Sequence, residues 1–94
     1  MTLKVVAAIC HGPWVLISTD RNRGTNIVKN RDVTGYLAIK DDMLNAGGNW
    51  LADKWGAIRV DNVVTGRVPD DLAAFCRAVK DAIKGPRTGK KHYK

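Results

Sequence analysis

Glutamate is absent from this 94-residue chain: all nine acidic residues are aspartate. Any carboxylate chemistry it performs unaided therefore rests on aspartate, or on a group brought by another molecule. Long hydrophobic runs are also missing. The longest, Val5 to Cys10, is six residues, well short of the ~20 needed to cross a bilayer, so no membrane role is expected. The same stretch imitates the apolar region of a secretory leader but is shorter than the about 7–15 residues such a region needs. Cysteine and histidine are scarce, with two of each. Cys10 and Cys76 could close one disulfide at most, and they lie in segments of different character, so a reducing cytoplasm fits better. The two pairs share no zinc-ligand spacing, which predicts no metal and no other cofactor.

What is present suits one small soluble domain: 45% hydrophobic residues, 27% charged and a net charge of +7, in a length that supports a single modest core. The charge is uneven. Lys84, Arg87, Lys90, Lys91 and Lys94 supply five of the seven excess positive charges. Together with Gly85, Pro86 and Gly89, and without an apolar period, they make residues 85–94 read as a disordered basic tail after a domain of residues 1–84. Such a tail could make weak, salt-dependent contact with nucleic acid, or simply keep the protein soluble.

Leu3 to Ile9 has the length and the Val/Ile content of a strand buried on both faces. It gives way to Cys10-His11-Gly12-Pro13, where proline suits the first turn of a helix because its missing N–H would have had no partner there. Trp14 to Ile17 then continue as a mostly buried helix reaching Ser18-Thr19-Asp20, and Arg21 to Arg31 has the composition of an exposed loop. A short strand at Val33–Tyr36 and an amphipathic helix over 37–46, stopped by Gly47-Gly48, follow. Ala57–Val60 and Val63–Thr65 flank Asp61-Asn62, a hairpin signature. Pro69-Asp70-Asp71 opens a last helix whose apolar stripe is Leu72, Phe75, Cys76, Val79 and Ile83.

One position invites chemistry. A cysteine where a strand hands over to a helix occupies the place of a nucleophile elbow, and the positive end of the helix dipole favours its thiolate. The N–H of His11 is placed to donate to a developing oxyanion, and the His11 imidazole can act as acid or base near neutral pH. The plain alternative is that Cys10 is the last small residue of a core strand. The imidazole also needs a third group to orient it, normally a carboxylate. Cys76, on the apolar stripe, reads as a small core residue. Trp14, Trp50 and Trp55 are scattered and read as packing.

Three segments in order, Val6-Ala7-Ala8-Ile9-Cys10-His11-Gly12-Pro13, Gly35-Tyr36-Leu37-Ala38-Ile39-Lys40-Asp41-Asp42-Met43-Leu44-Asn45-Ala46-Gly47 and Val64-Thr65-Gly66-Arg67-Val68-Pro69-Asp70-Asp71-Leu72, resemble the signatures of the ThiJ/PfpI family, nearest its PfpI-like intracellular protease branch. The resemblance implies an α/β fold, a flavodoxin-like sandwich of the class I glutamine amidotransferase-like kind. It further implies Cys10 as nucleophile, His11 as its partner and Tyr36 as a substrate-side residue, acting on peptides or small reactive carbonyls as a peptidase, glyoxalase or deglycase. Stress proteins and chaperones also belong to the family, so a non-catalytic redox-sensing or interaction module that keeps the reactive cysteine is the alternative.

Only the C-terminal half of such a domain is matched. In the family the other half contributes the glutamate that polarises the cysteine, a glutamate that reaches the histidine of a neighbouring subunit, and an oxyanion-hole glycine. A homo-oligomer of a chain without glutamate cannot recover these carboxylates. Gly35 and Gly66 stand where serine is common in the family. The first strand should also lack neighbours it is built for, so a complementing chain, homo-oligomerisation or marginal folding is expected.

Overall fold

The structure, a computed structural model, describes residues 4–51, 55–85 and 89–94. Its centre is the expected hairpin: β4 (Ala57–Val60) pairs antiparallel with β5 (Val63–Gly66), Val60 opposite Val63. Asp61 takes the left-handed conformation, φ 56°, that a two-residue turn demands. β1 (Val6–Ile9) lies parallel to β5, and β6 (Lys90–Tyr93) antiparallel to β4, giving the order β1-β5-β4-β6. A separate two-stranded pair joins β2 (Asp32–Val33) to β3 (Asn49–Trp50).

Successive side chains of a strand point to opposite faces, and the two halves of the core follow from that. Val63 joins Leu16, Val28, Val33, Ile39 and Met43 on one side. Val64 joins Ala57, Ala74, Ala78 and Tyr93 on the other. Helices α1 (Pro13–Arg23) and α2 (Lys40–Asn45, entered through a 3-10 turn at Leu37–Ile39) belong to the first, and α3 (Leu72–Lys84, entered through a 3-10 turn at Pro69–Asp71) to the second. The result is the α/β sandwich expected from the sequence, with helices on both faces of a sheet.

Several expectations are corrected. Helix α1 extends past Asp20 to Arg23, where Arg21 and Arg23 suit the negative end of its dipole. It is not mostly buried: Pro13 and Leu16 are, whereas Trp14 and Val15 are 44% and 67% exposed. The stretch after it is pinned rather than loose. Asp20 accepts hydrogen bonds from the Thr25 hydroxyl (2.7 Å) and the N–H groups of Ile27 (2.8 Å) and Val28 (2.9 Å), which draws Val28 fully into the core. Partial burial works against charge on Asp20, but bonds from Thr25, Val28, Ile27 and Lys29 outweigh it and hold its carboxyl below the usual range.

On α3 the packed face is rotated from the expected stripe. Ala74 and Ala78 are buried, flanked by Phe75, Val79 and Ala82. Leu72 (55%) and Ile83 (68%) face outward and Cys76 is exposed, so Cys76 is not a core residue. The alanines let the helix axis approach the β4–β5 hairpin closely, and that approach sets which face is covered. The basic end is not disordered where it is described. Tyr93 is buried opposite Ala57, its hydroxyl donating to Asp81 (2.8 Å), while Lys90 and Lys91 reach Asp32 and Asp81. One anchoring aromatic and a free edge on β4 were enough to order four residues whose composition suggested a tail. No described helix is long and apolar enough to cross a membrane.

Candidate active site

The strand-to-helix junction forms because β1 must stop where α1 begins. Cys10 turns the chain with φ 63°, a left-handed conformation that is costly for a residue with a Cβ, about 1–2 kcal/mol, and that persists only where neighbours enforce it. They do so here. The Cys10 N–H donates to Gly66 O (3.0 Å), its carbonyl accepts from the Tyr36 N–H (2.9 Å), and the Gly12 N–H closes the turn on Ile9 O (2.9 Å). Gly12 has no room for a side chain, since a Cβ there would lie 3.0 Å from Ile9 O. The turn is clamped from the end of β5 on one side and from the segment after β2 on the other.

Cys10 is half-buried and its Sγ stands 3.4 Å from His11 Nδ1. The imidazole contacts two rings at tilted angles, Trp14 at 5.2 Å and Tyr36 at 4.9 Å between centroids. The sulfur therefore sits on the elbow and within reach of water, not in packed hydrocarbon. All three residues singled out in the sequence, Cys10, His11 and Tyr36, are brought together. Tyr36 also lines a cavity of about 310 Å³ with Gly35, Leu37, Trp50, Arg67 and Asp71. On that wall Arg67 forms a two-pronged ion pair with Asp71 (2.8 and 2.9 Å).

Sequence reasoning missed Trp14 and Asp42. Trp14 had been assigned to packing, yet its indole Nε1–H donates to Asp42 Oδ2 at 2.9 Å while its ring flanks His11. Spacing carried a hint, because Trp14 follows His11 by three residues and falls one turn along on the same side. Asp42 carries no signal of its own in the sequence beyond its place in an amphipathic helix. Among the described residues no carboxylate hydrogen-bonds the His11 ring itself, and no three histidine, cysteine or aspartate side chains are grouped to hold a metal ion.

The sequence profile of the DJ-1/PfpI family matches residues 2–82. The chain belongs to the DJ-1/PfpI family. YraA of Bacillus subtilis, named as a candidate cysteine protease, is 44% identical over 81 residues, which cover 86% of this chain and 43% of that protein. The deglycase PfpI of Pyrococcus furiosus is 42% identical over 82 residues, 86% of this chain and 44% of that protein. The chain thus spans less than half the length of these relatives. Among solved structures, a two-domain protein of Anabaena variabilis with DJ-1/ThiJ/PfpI-like and ferritin-like domains superposes with a TM-score of 0.74 at 38% identity, over 87% of this chain and 21% of that one. The α/β sandwich is accordingly that of the family, and its flavodoxin-like character with it.

Proposed function

We propose that the chain carries the nucleophilic centre of a cysteine-dependent enzyme acting on carbonyl carbon, of peptidase or deglycase type. The observation that carries this reading is Cys10 held at φ 63° on the elbow with its Sγ 3.4 Å from His11 Nδ1. That is the contact a thiol and its base need before reaction. His11 takes the thiol proton, the sulfur bonds to the carbonyl carbon, and the carbonyl π electrons move to oxygen, where the His11 N–H is the donor on offer. Collapse of the adduct of a peptide expels the amine, which takes the proton back from His11, and water hydrolyses the thioester. Adducts of small reactive carbonyls begin with the same addition. Tyr36, which contacts the imidazole and also lines the cavity, is the substrate-side residue in this reading.

The reading includes a second polypeptide. Among the described residues no aspartate hydrogen-bonds the imidazole, and β1 has an open edge. A complementing chain, paired along β1 and bringing a carboxylate to the site, would supply both. A homo-oligomer could cover the edge but would bring no glutamate. Without complementation the alternative is a redox-sensing or interaction module, favoured by an imidazole that no described carboxylate orients, in which Cys10 is oxidised by peroxide and nothing is turned over. Both readings place the protein in a reducing cytoplasm, where Cys10 and Cys76 remain the free thiols seen here.

Alkylation separates the two thiols. With iodoacetamide at neutral pH, followed by mass spectrometry, Cys10 is expected to react at least about tenfold faster than the more exposed Cys76, a margin expected of an activated thiol over an ordinary one. Equal rates would remove the nucleophile. Turnover of methylglyoxal adducts or a peptide, lost in Cys10→Ala, then decides between enzyme and sensor.

A further inference from the structure

Among the described residues no carboxylate hydrogen-bonds the imidazole of His11, yet it is not free to wander. It contacts Tyr36, whose own N–H is tied to the Cys10 carbonyl at 2.9 Å. It also contacts the Trp14 indole. Trp14 lies in the first turn of α1, its N–H donating to His11 O at 3.1 Å. It is 44% exposed, so packing alone does not fix its ring. What fixes it is the hydrogen bond from Nε1 to Asp42 Oδ2, 2.9 Å, across 28 residues of sequence from α1 to α2. An exposed indole spends its one donor on a carboxylate, a charge-assisted bond of the stronger class.

We infer that Asp42, acting through the Trp14 indole, is an indirect positioning residue that helps hold His11 against Cys10, beside any carboxylate a second chain brings to the imidazole itself. The chain of contacts runs Asp42 Oδ2, Trp14 Nε1, indole ring, imidazole, Sγ. A ring in contact with two others keeps fewer rotamers, and in the one it adopts here Nδ1 stands 3.4 Å from the sulfur. When the imidazole takes a proton it lies within the ~6 Å over which an aromatic ring stabilises a cation, and an indole whose N–H is bound to a carboxylate is the more electron-rich for it. The charged and titratable groups arrayed about the ring are Cys10 from the elbow, Tyr36 from the segment after β2, and Asp42 from α2 behind Trp14. The inference rests on the proposal that Cys10 and His11 form a reactive pair.

The test uses the full chain with Cys76→Ser, so that Cys10 is the one thiol, and follows its alkylation by iodoacetamide from about pH 5 to 9, the range in which histidine titrates. The variants His11→Ala, Trp14→Phe, Asp42→Ala and Asp42→Asn are each also checked for melting temperature. Trp14 and Asp42 line an open groove of about 890 Å³ rather than the core, so folding is expected to survive. Trp14→Phe and Asp42→Ala should slow Cys10 several-fold at neutral pH and distort the profile in the direction of His11→Ala. Asp42→Asn, whose side-chain carbonyl still accepts the indole N–H, should restore most of the rate.

A merely structural role would lower the melting temperature and leave the profile alone. A profile unchanged in Trp14→Phe and Asp42→Ala, but altered in His11→Ala, overturns this inference while the reactive pair stands. A profile unchanged in His11→Ala overturns the pair and the inference with it. Asp42→Asn behaving as Asp42→Ala overturns positioning by the hydrogen bond. The nitrogen-15 shifts of the His11 ring, read at one pH, give a second measure: they should move in Trp14→Phe and Asp42→Ala and stay near the parent in Asp42→Asn.

Discussion

The two edges of the four-stranded sheet are built differently. β6 reads Lys90-Lys91-His92-Tyr93, with two cations along a strand that ends on a buried tyrosine. β1 reads Val6-Ala7-Ala8-Ile9, with no charge at all, at the other edge of the described sheet. Proteins protect exposed edges with charge, above all lysine, because a bare row of N–H and C=O groups recruits another strand. β6 is protected in this way and β1 is not. β1 also pairs parallel to β5, the mode of strands that sit inside a sheet with both faces covered. The lesson is that the chemical end of this molecule, where β1 delivers Cys10, is the end that asks for a neighbour, while the other end is finished.

Three experiments press on that contrast. The largest effect is expected in the middle of the sheet, at β4, which pairs with β6 directly and reaches β1 through β5. Ile58 of β4 is fully buried, and Ile58→Ala should cost about 3 kcal/mol in urea unfolding through lost burial and the cavity left behind. It should release β1 and β6 together, since either edge surviving in hydrogen exchange would mean that the two are not one cooperative unit.

A smaller loss is expected from Tyr93→Phe, which touches the finished edge alone by removing the hydrogen bond to Asp81. Burial first, and then that bond, push the Tyr93 hydroxyl up to about 12. A group whose pKa is raised on folding contributes stability that is whole below its unfolded value, about 10 for tyrosine, and that fades as the pH climbs through the folded value. The parent should therefore lose stability between about pH 10 and about pH 12, a step that Tyr93→Phe should lack in circular dichroism.

The least effect on stability, within about 0.5 kcal/mol, is expected of Ala7→Lys, because Ala7 is exposed on β1. It gives that strand the charge β6 already has, so sedimentation should show less self-association than the parent. Unchanged association would mean that β1 is not the adhesive edge.

How far residues alone reached can be seen in particular places. The hairpin at Asp61-Asn62 and the proline-led α1 were legible, because each is set by local backbone chemistry: a left-handed turn, a fixed φ, a missing N–H. The elbow at Cys10 was legible from residue order, although its φ of 63° is held by Gly66 and Tyr36. The order of Lys90–Tyr93 was not, because a four-residue strand has no pattern of its own and exists by pairing with β4. The buried face of α3 was misplaced, since a period identifies a stripe but not how closely a sheet will approach it. Exposed Cys76 is the result.

The site divides in the same way. Cys10, His11 and the motif segment holding Tyr36 lie in contiguous runs whose residue types and order alone pointed to a thiol nucleophile and its base. That Tyr36 would contact His11 and that Asp42 would reach Trp14 from another helix are facts of packing between elements 20 or more residues apart. Short-range chemistry is written in neighbouring residues because a turn closes on itself. The orientation of an imidazole is decided only when separate helices are pressed onto one sheet.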